Sequence, residues 1–234
     1  MRNFIKGGAL LLASTSLLAV SAMSAQAQNF SAVYNPSGQP GTQVSQPVTS
    51  GAPAGATIGD IVRVGITPNA GLNSINSAGW TQAFNLNAYY GVTITPSIGN
   101  SVNLTTLTLS DQRSGTGPTS FAIRSSANNF TTDLFTYSLT TATTSSQSFN
   151  LGSVAALQGF TGPAELRIYG FNGTSTTGTG TYRLTAFGIS GTVNAVTPPV
   201  GGGAAPEPGS LALVALGALP LAGVVAARRR RKAA

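Results

Sequence analysis

Val102-Asn103-Leu104-Thr105-Thr106-Leu107-Thr108-Leu109-Ser110 is the stretch that decides the fold class. Large apolar residues alternate with small polar ones, the period-two pattern of a strand with one wet face. The alternation changes phase once. Val102 and Leu104 hold even positions, whereas Leu107 and Leu109 hold odd ones. One extra residue inside a strand shifts the phase in this way, so a β-bulge is expected near Thr105-Thr106.

Outward from this stretch, short β-prone runs recur between clusters of Gly, Asn, Ser and Thr. Strands are expected at 58–66, 81–86, 89–95, 102–110, 120–125, 134–139, 147–151, 165–171 and 182–193. Leu166 and Ile168 share one face against Glu165, Arg167 and Tyr169, while Phe135, Tyr137 and Leu139 share another. Residues 174–181, with Gly173, Gly178 and Gly180 in and beside them, read as a hairpin loop, and only 153–158 read as a turn or two of helix. This spacing predicts an all-β, antiparallel two-sheet sandwich, jelly-roll-like. Leu104, Phe121, Ile123, Phe135, Leu166, Ile168 and Leu184 are expected inside it.

The ends of the chain differ from this body. Residues 1–27 read as a signal peptide: Arg2 and Lys6, an apolar run at 8–20, then Ala25-Gln26-Ala27 as a small-residue cleavage site. Residues 28–56 are rich in Pro, Gly, Ser and Gln and read as a flexible leader or edge segment. The ectodomain is placed at 57–196 and a Pro/Gly linker at 197–205. Residues 206–234 then give Pro206-Glu207-Pro208-Gly209, an uncharged apolar span and the cluster Arg228-Arg229-Arg230-Arg231-Lys232. As a helix rising about 1.5 Å per residue, the span covers roughly 26 Å of a ~30 Å hydrocarbon core, so a single transmembrane helix is expected. The basic cluster marks its cytoplasmic end.

Composition narrows the chemistry. Only 7% of residues are charged, against about 25% in ordinary globular domains. The net charge of +7 sits mostly at the two ends. The body sets Arg63, Arg113, Arg124, Arg167 and Arg183 against Asp60, Asp111, Asp133 and Glu165, so it has no basic face for nucleic acid. Cysteine and histidine are absent, and the body has no lysine, which removes disulfides, thiolate sites, a Ser-His-Asp triad and a Ser-Lys pair. The acids read as solvated surface charge: Glu165 alternates with Arg167 and Asp111 abuts Arg113. No enzyme activity and no cofactor are expected. Calcium is the metal best suited to carboxylates and amides. Asp111, Asn128, Asn129 and Asp133 are its candidates, although no Asp-x-Asp-x-Asp-Gly loop is present and Asx-turns account for them as well. Sugar contact would fall to Trp80, Tyr89 and Tyr90. A lone Trp is expected in the core, and one of two adjacent strand tyrosines should face out.

The box Ala205-Pro206-Glu207-Pro208-Gly209-Ser210, the apolar span and the terminal arginines together resemble the PEP-CTERM sorting signal of bacterial exported proteins. The resemblance implies that an exosortase, a membrane processing enzyme, recognises the box and cuts the tail away. The body would then pass to the cell surface or the surrounding matrix. A second resemblance lies in the body. Arg113-Ser114-Gly115-Thr116-Gly117-Pro118, Phe121-Ala122-Ile123-Arg124-Ser125-Ser126, Leu166-Arg167-Ile168-Tyr169-Gly170 and Gly180-Thr181-Tyr182-Arg183-Leu184 look like a β-sandwich ectodomain common among PEP-CTERM proteins. That group often has Asp-Gly-Phe after the Ser-Ser pair, where this chain has Ala127-Asn128-Asn129-Phe130. The expectation is an exported surface or matrix protein, structural or adhesive. The alternative is a carbohydrate-binding module engaging exopolysaccharide, and behind it a hydrolase.

Overall fold

The computed structural model describes residues 27–140 and 142–196. Residues 1–26 of the expected signal peptide, the linker, and the C-terminal box, span and basic cluster lie outside the described residues. Among the described residues no helix is long and apolar enough to cross a membrane.

The strands in chain order are β1 Gln28–Tyr34, β2 Pro40–Gly41, β3 Ser45–Gln46, β4 Ala56–Ile58, β5 Ile61–Val64, β6 Thr67–Pro68 and β7 Ser74–Ala78, then β8 Tyr89–Pro96, β9 Asn100–Arg113, β10 Ser120–Ser125, β11 Phe135–Ser138, β12 Ser145–Asn150, β13 Ala164–Phe171 and β14 Tyr182–Ala195. They form two sheets, as the alternation predicts. The first runs β12-β9-β14-β7-β2, with β1 also on β14 and β6 on β7. The second runs β11-β10-β13-β8-β5-β3, with β4 also on β8. Every pairing is antiparallel except β2 with β7.

β9 and β14 are the long central pair of the first sheet. Thr106 faces Ser190 but Leu104 faces Gly191, so Thr105 is the extra residue and the bulge lies where the phase change puts it. A second bulge leaves Thr185 unpaired between Leu184 and Ala186. The two sheets close over one core, and Leu104, Phe121, Ile123, Leu166, Ile168 and Leu184 are buried in it, with Phe135 packed at its margin.

Three expectations need correction. Residues 28–34 are an edge segment and not a flexible leader: β1 pairs with β14 along its whole length, burying Phe30, Ala32 and Tyr34. Its alternation is regular, but the polar composition downstream masks it. The expected strand at 58–66 is two strands, β4 and β5, which pair with successive parts of β8 on either side of Gly59. The expected strand at 81–86 is a connection; the strand is β7 instead. β7 reads as polar because Ser74, Asn76 and Ser77 are buried there, each hydrogen-bonded to backbone or to a neighbouring side chain. The turn or two of helix expected at 153–158 is found as the 3-10 turns Leu151–Ser153 and Ala155–Leu157.

Close approach explains one part of the body motifs. A Cβ on Gly117 would lie 2.2 Å from the Thr181 carbonyl, and one on Gly180 would lie 2.2 Å from the Thr116 carbonyl. The 113–118 and 180–184 motifs therefore meet backbone to backbone, fixed by Ser114 N–H to Thr181 O at 2.9 Å and Thr181 N–H to Ser114 Oγ at 2.8 Å.

Candidate functional site

The three aromatics expected to meet sugar are all covered: Trp80 is 2% exposed, Tyr89 7% and Tyr90 1%. Trp80 donates from Nε1 to the Ser77 carbonyl at 2.9 Å and packs edge-on against Tyr90 and Tyr182. The Tyr90 hydroxyl is used up between the sheets, on Ser77 Oγ at 2.8 Å and on the Ile75 and Tyr182 carbonyls. Tyr89 is on the opposite face from Tyr90, as alternation requires, yet Arg167 lies over its ring at 4.1 Å.

That outer face of the second sheet is a layer of aromatics capped by arginines. Phe84 packs on Tyr169 and Phe171, and Tyr169 packs on Tyr89. Arg124 lies 4.2 Å over Phe84, and Arg167 lies 3.6 Å over Phe130. Each cation has a carboxylate: Arg124 Nε to Asp133 at 2.5 Å, and Arg167 to both oxygens of Glu165 at 2.9 and 2.8 Å. Desolvated guanidinium over aromatic rings is favourable in itself, and the fork geometry holds each carboxylate in place. The face carries charge but no uncompensated charge. Glu165 and Arg167 were legible from their alternation; Phe84 and Phe130 come from connecting segments and have no sequence signal.

The calcium candidates are not brought together. Asp111 is fully buried on β9 between the sheets, so it is not the solvated charge expected from its neighbour Arg113. Asn128, Asn129 and Asp133 belong to the connection after β10. There Asp133 binds Arg124, Asn128 Nδ2 donates to Thr132 Oγ1 at 2.6 Å, and Asn129 takes a left-handed conformation. Among the described residues no group of three or more His, Cys, Asp or Glu side chains is placed to hold a metal. Arg63 and Arg113 donate to backbone carbonyls. Arg113 donates to those of Ser114, Gly115, Gly117, Leu139 and Thr140.

A concavity lies on the outer face of the first sheet. It is a shallow groove of about 350 Å³, lined by Thr108, Ser110, Ser146, Gln147 and Ser148 with Leu109 and Ala186. Hydroxyl and amide groups without charge can exchange hydrogen bonds with a neutral ligand.

Residues 204–231 match the PEP-CTERM protein-sorting motif. The PEP-CTERM motif is a substrate signal for an exosortase, and it implies an exported protein bound for the cell surface or the extracellular space. The body that precedes the motif has the β-rich architecture described above. No curated protein matches the chain. One solved structure, the K3 cleaved adhesin domain of Lys-gingipain (Kgp) from Porphyromonas gingivalis w83, is similar at a TM-score of 0.30 with 14% identity, over 65% of this chain and 98% of that one. A likeness of that degree carries no argument about this chain.

Proposed function

We propose that this PEP-CTERM chain is a non-catalytic structural or adhesive protein of the bacterial surface or matrix. On this reading it crosses the inner membrane, is held briefly by its C-terminal span, and is released when an exosortase cuts at the Pro-Glu-Pro box. Its connectivity is read as jelly-roll-like. The observation that carries the non-catalytic reading is the disposition of the body's charged groups. Asp133 and Glu165 are each bound to an arginine, Asp111 is shut in the core, and Asp60 accepts from Ser45 Oγ at 2.7 Å. A general acid and base need two groups converging on one substrate position, and this arrangement offers none.

The test is the mature protein from its own host. Mass spectrometry of surface-exposed material should find the ectodomain without peptides from Arg228 onward. Finding those peptides on most of the surface protein overturns the processing route. Turnover of a polysaccharide or peptide by the purified protein overturns the non-catalytic reading.

A second reading has one observation in its favour. The uncharged groove on Thr108, Ser110, Ser146, Gln147 and Ser148 suits a neutral glycan such as an exopolysaccharide, in place of the buried Trp80, Tyr89 and Tyr90. Binding on a glycan array that disappears with Ser146→Trp and Ser148→Trp would put this reading first.

A further inference from the structure

Between the sheets, three oxygens form a triangle. Tyr137 Oη and Tyr182 Oη each lie 2.9 Å from Asp111 Oδ2, and they lie 2.8 Å from each other. Three contacts of that length need three hydrogens. The two phenols supply two. With Asp111 ionised, one edge of the triangle would set lone pair against lone pair in a dry core. With a proton on Oδ2 the count closes: Asp111 donates to one phenol, that phenol to the other, and the second phenol back to Oδ2.

We propose that Asp111 keeps its proton in the folded protein at neutral pH and, with Tyr137 and Tyr182, closes a hydrogen-bonded ring that ties edge strand β11 to the first sheet. The surroundings agree. Asp111 is 0% exposed and its Oδ1 has no hydrogen-bond partner. An ionised carboxylate left half-bonded away from water is costly, and such a group takes up a proton instead. Burial pushes the Asp111 carboxyl up, with the two phenols working against it, and burial pushes both phenols well above their ordinary range, so neither supplies a charge.

The groups facing this ring supply no neutralising cation. From β10, Phe121 packs on Tyr137 and Tyr182. From β8, Tyr90 packs on Tyr182 and sends its hydroxyl to Ser77, where Arg63 also binds. On β9 itself Arg113 is spent on five carbonyls. From β12, Ser145 pairs opposite Asp111, and from β14, Arg183 sits opposite Gln112 on the other face.

The device responds to pH with a defined sign. The unfolded chain releases this proton near the ordinary aspartate value, while the folded chain holds it. The contribution of this ring to stability is therefore full below the ordinary aspartate range and falls as pH rises, until Asp111 ionises and the tie to β11 loosens.

The chain has three aspartates, Asp60, Asp111 and Asp133, the first and last exposed. Full-length protein in detergent, labelled with 13C at the aspartate carboxyl, should give three signals. One of them should stay protonated through pH 7. The absence of any signal that stays protonated there overturns the proposal, and this reading needs no variant. Denaturant unfolding provides an independent measurement. The folded-to-unfolded ratio should fall about tenfold per pH unit above the ordinary aspartate range in the wild type, and Asp111→Asn should remove that slope. A slope that persists in Asp111→Asn also overturns it.

Discussion

The Arg167 guanidinium lies 3.6 Å from the centre of the Phe130 ring, and Phe130 holds a backbone φ of 57°, which bulky side chains rarely adopt. Asn129 before it has a φ of 55°. Two successive left-handed residues turn the connection after β10 back over the sheet, where the Phe130 carbonyl accepts from Arg124 at 2.8 Å. The strain at Phe130 is held by Arg167 against its ring and by Arg124 on its carbonyl.

Phe130→Gly and Phe130→Ala should therefore separate ring from backbone. Alanine loses the ring and keeps the strained φ, worth about 1–2 kcal/mol. Glycine loses the ring and relieves it. Chemical denaturation should rank wild type above glycine, and glycine above alanine. An alanine variant more stable than the glycine one would show that the backbone there is unstrained.

Arg167→Ala tests the capped face. From sequence alone the Glu165 pair would be a surface ion pair, worth about 1 kcal/mol or less. The fold adds two aromatic rings beneath the guanidinium, and the side chains of the pair are only 20% and 24% exposed. The expected loss is about 2–3 kcal/mol, including the stranded Glu165 carboxylate. Arg167→Lys should recover only part of it, since an ammonium cannot fork onto both oxygens. A loss below 1 kcal/mol by denaturant titration would contradict this account.

Arg63 is a clamp between the sheets. From β5 it donates to Ser77 Oγ at 2.7 Å, to the Gly41 carbonyl at 2.6 Å and to the Gln43 carbonyl. Arg63→Lys should destabilise by about 2–3 kcal/mol, because one ammonium cannot reach acceptors on several strands at once. Amide exchange should rise first at β2 and β3, the short strands that depend on it. Unchanged exchange there would remove the clamp role.

Pro206→Ala with Pro208→Ala should block processing and leave stability of the body untouched, since the sorting motif is separate in sequence from every strand. Fractionation of the host should find uncut precursor in the inner membrane. Normal release of the double variant would mean that the box is not what the processing enzyme reads.

Destination and fold class were set by local sequence. The motif at 204–231 is contiguous in sequence, so its match rests on no tertiary contact. The alternation in 102–110 and 165–169 fixes strands because neighbouring side chains must point to opposite faces, and the phase change at Thr105-Thr106 fixes a bulge for the same reason. What the tertiary structure alone decided is which polar groups are inside. Asp111 reads as surface charge beside Arg113, yet Tyr137 and Tyr182, 26 and 71 residues away, make it a core group. β7 reads as polar until Ser74 and Asn76 bond the turn at Ala70-Gly71 and Ser77 meets Tyr90 and Arg63. Tyr89 reads as an exposed platform until Arg167 covers it. Hydrogen-bond partners and covering side chains arrive from distant strands, and a local pattern carries no record of them.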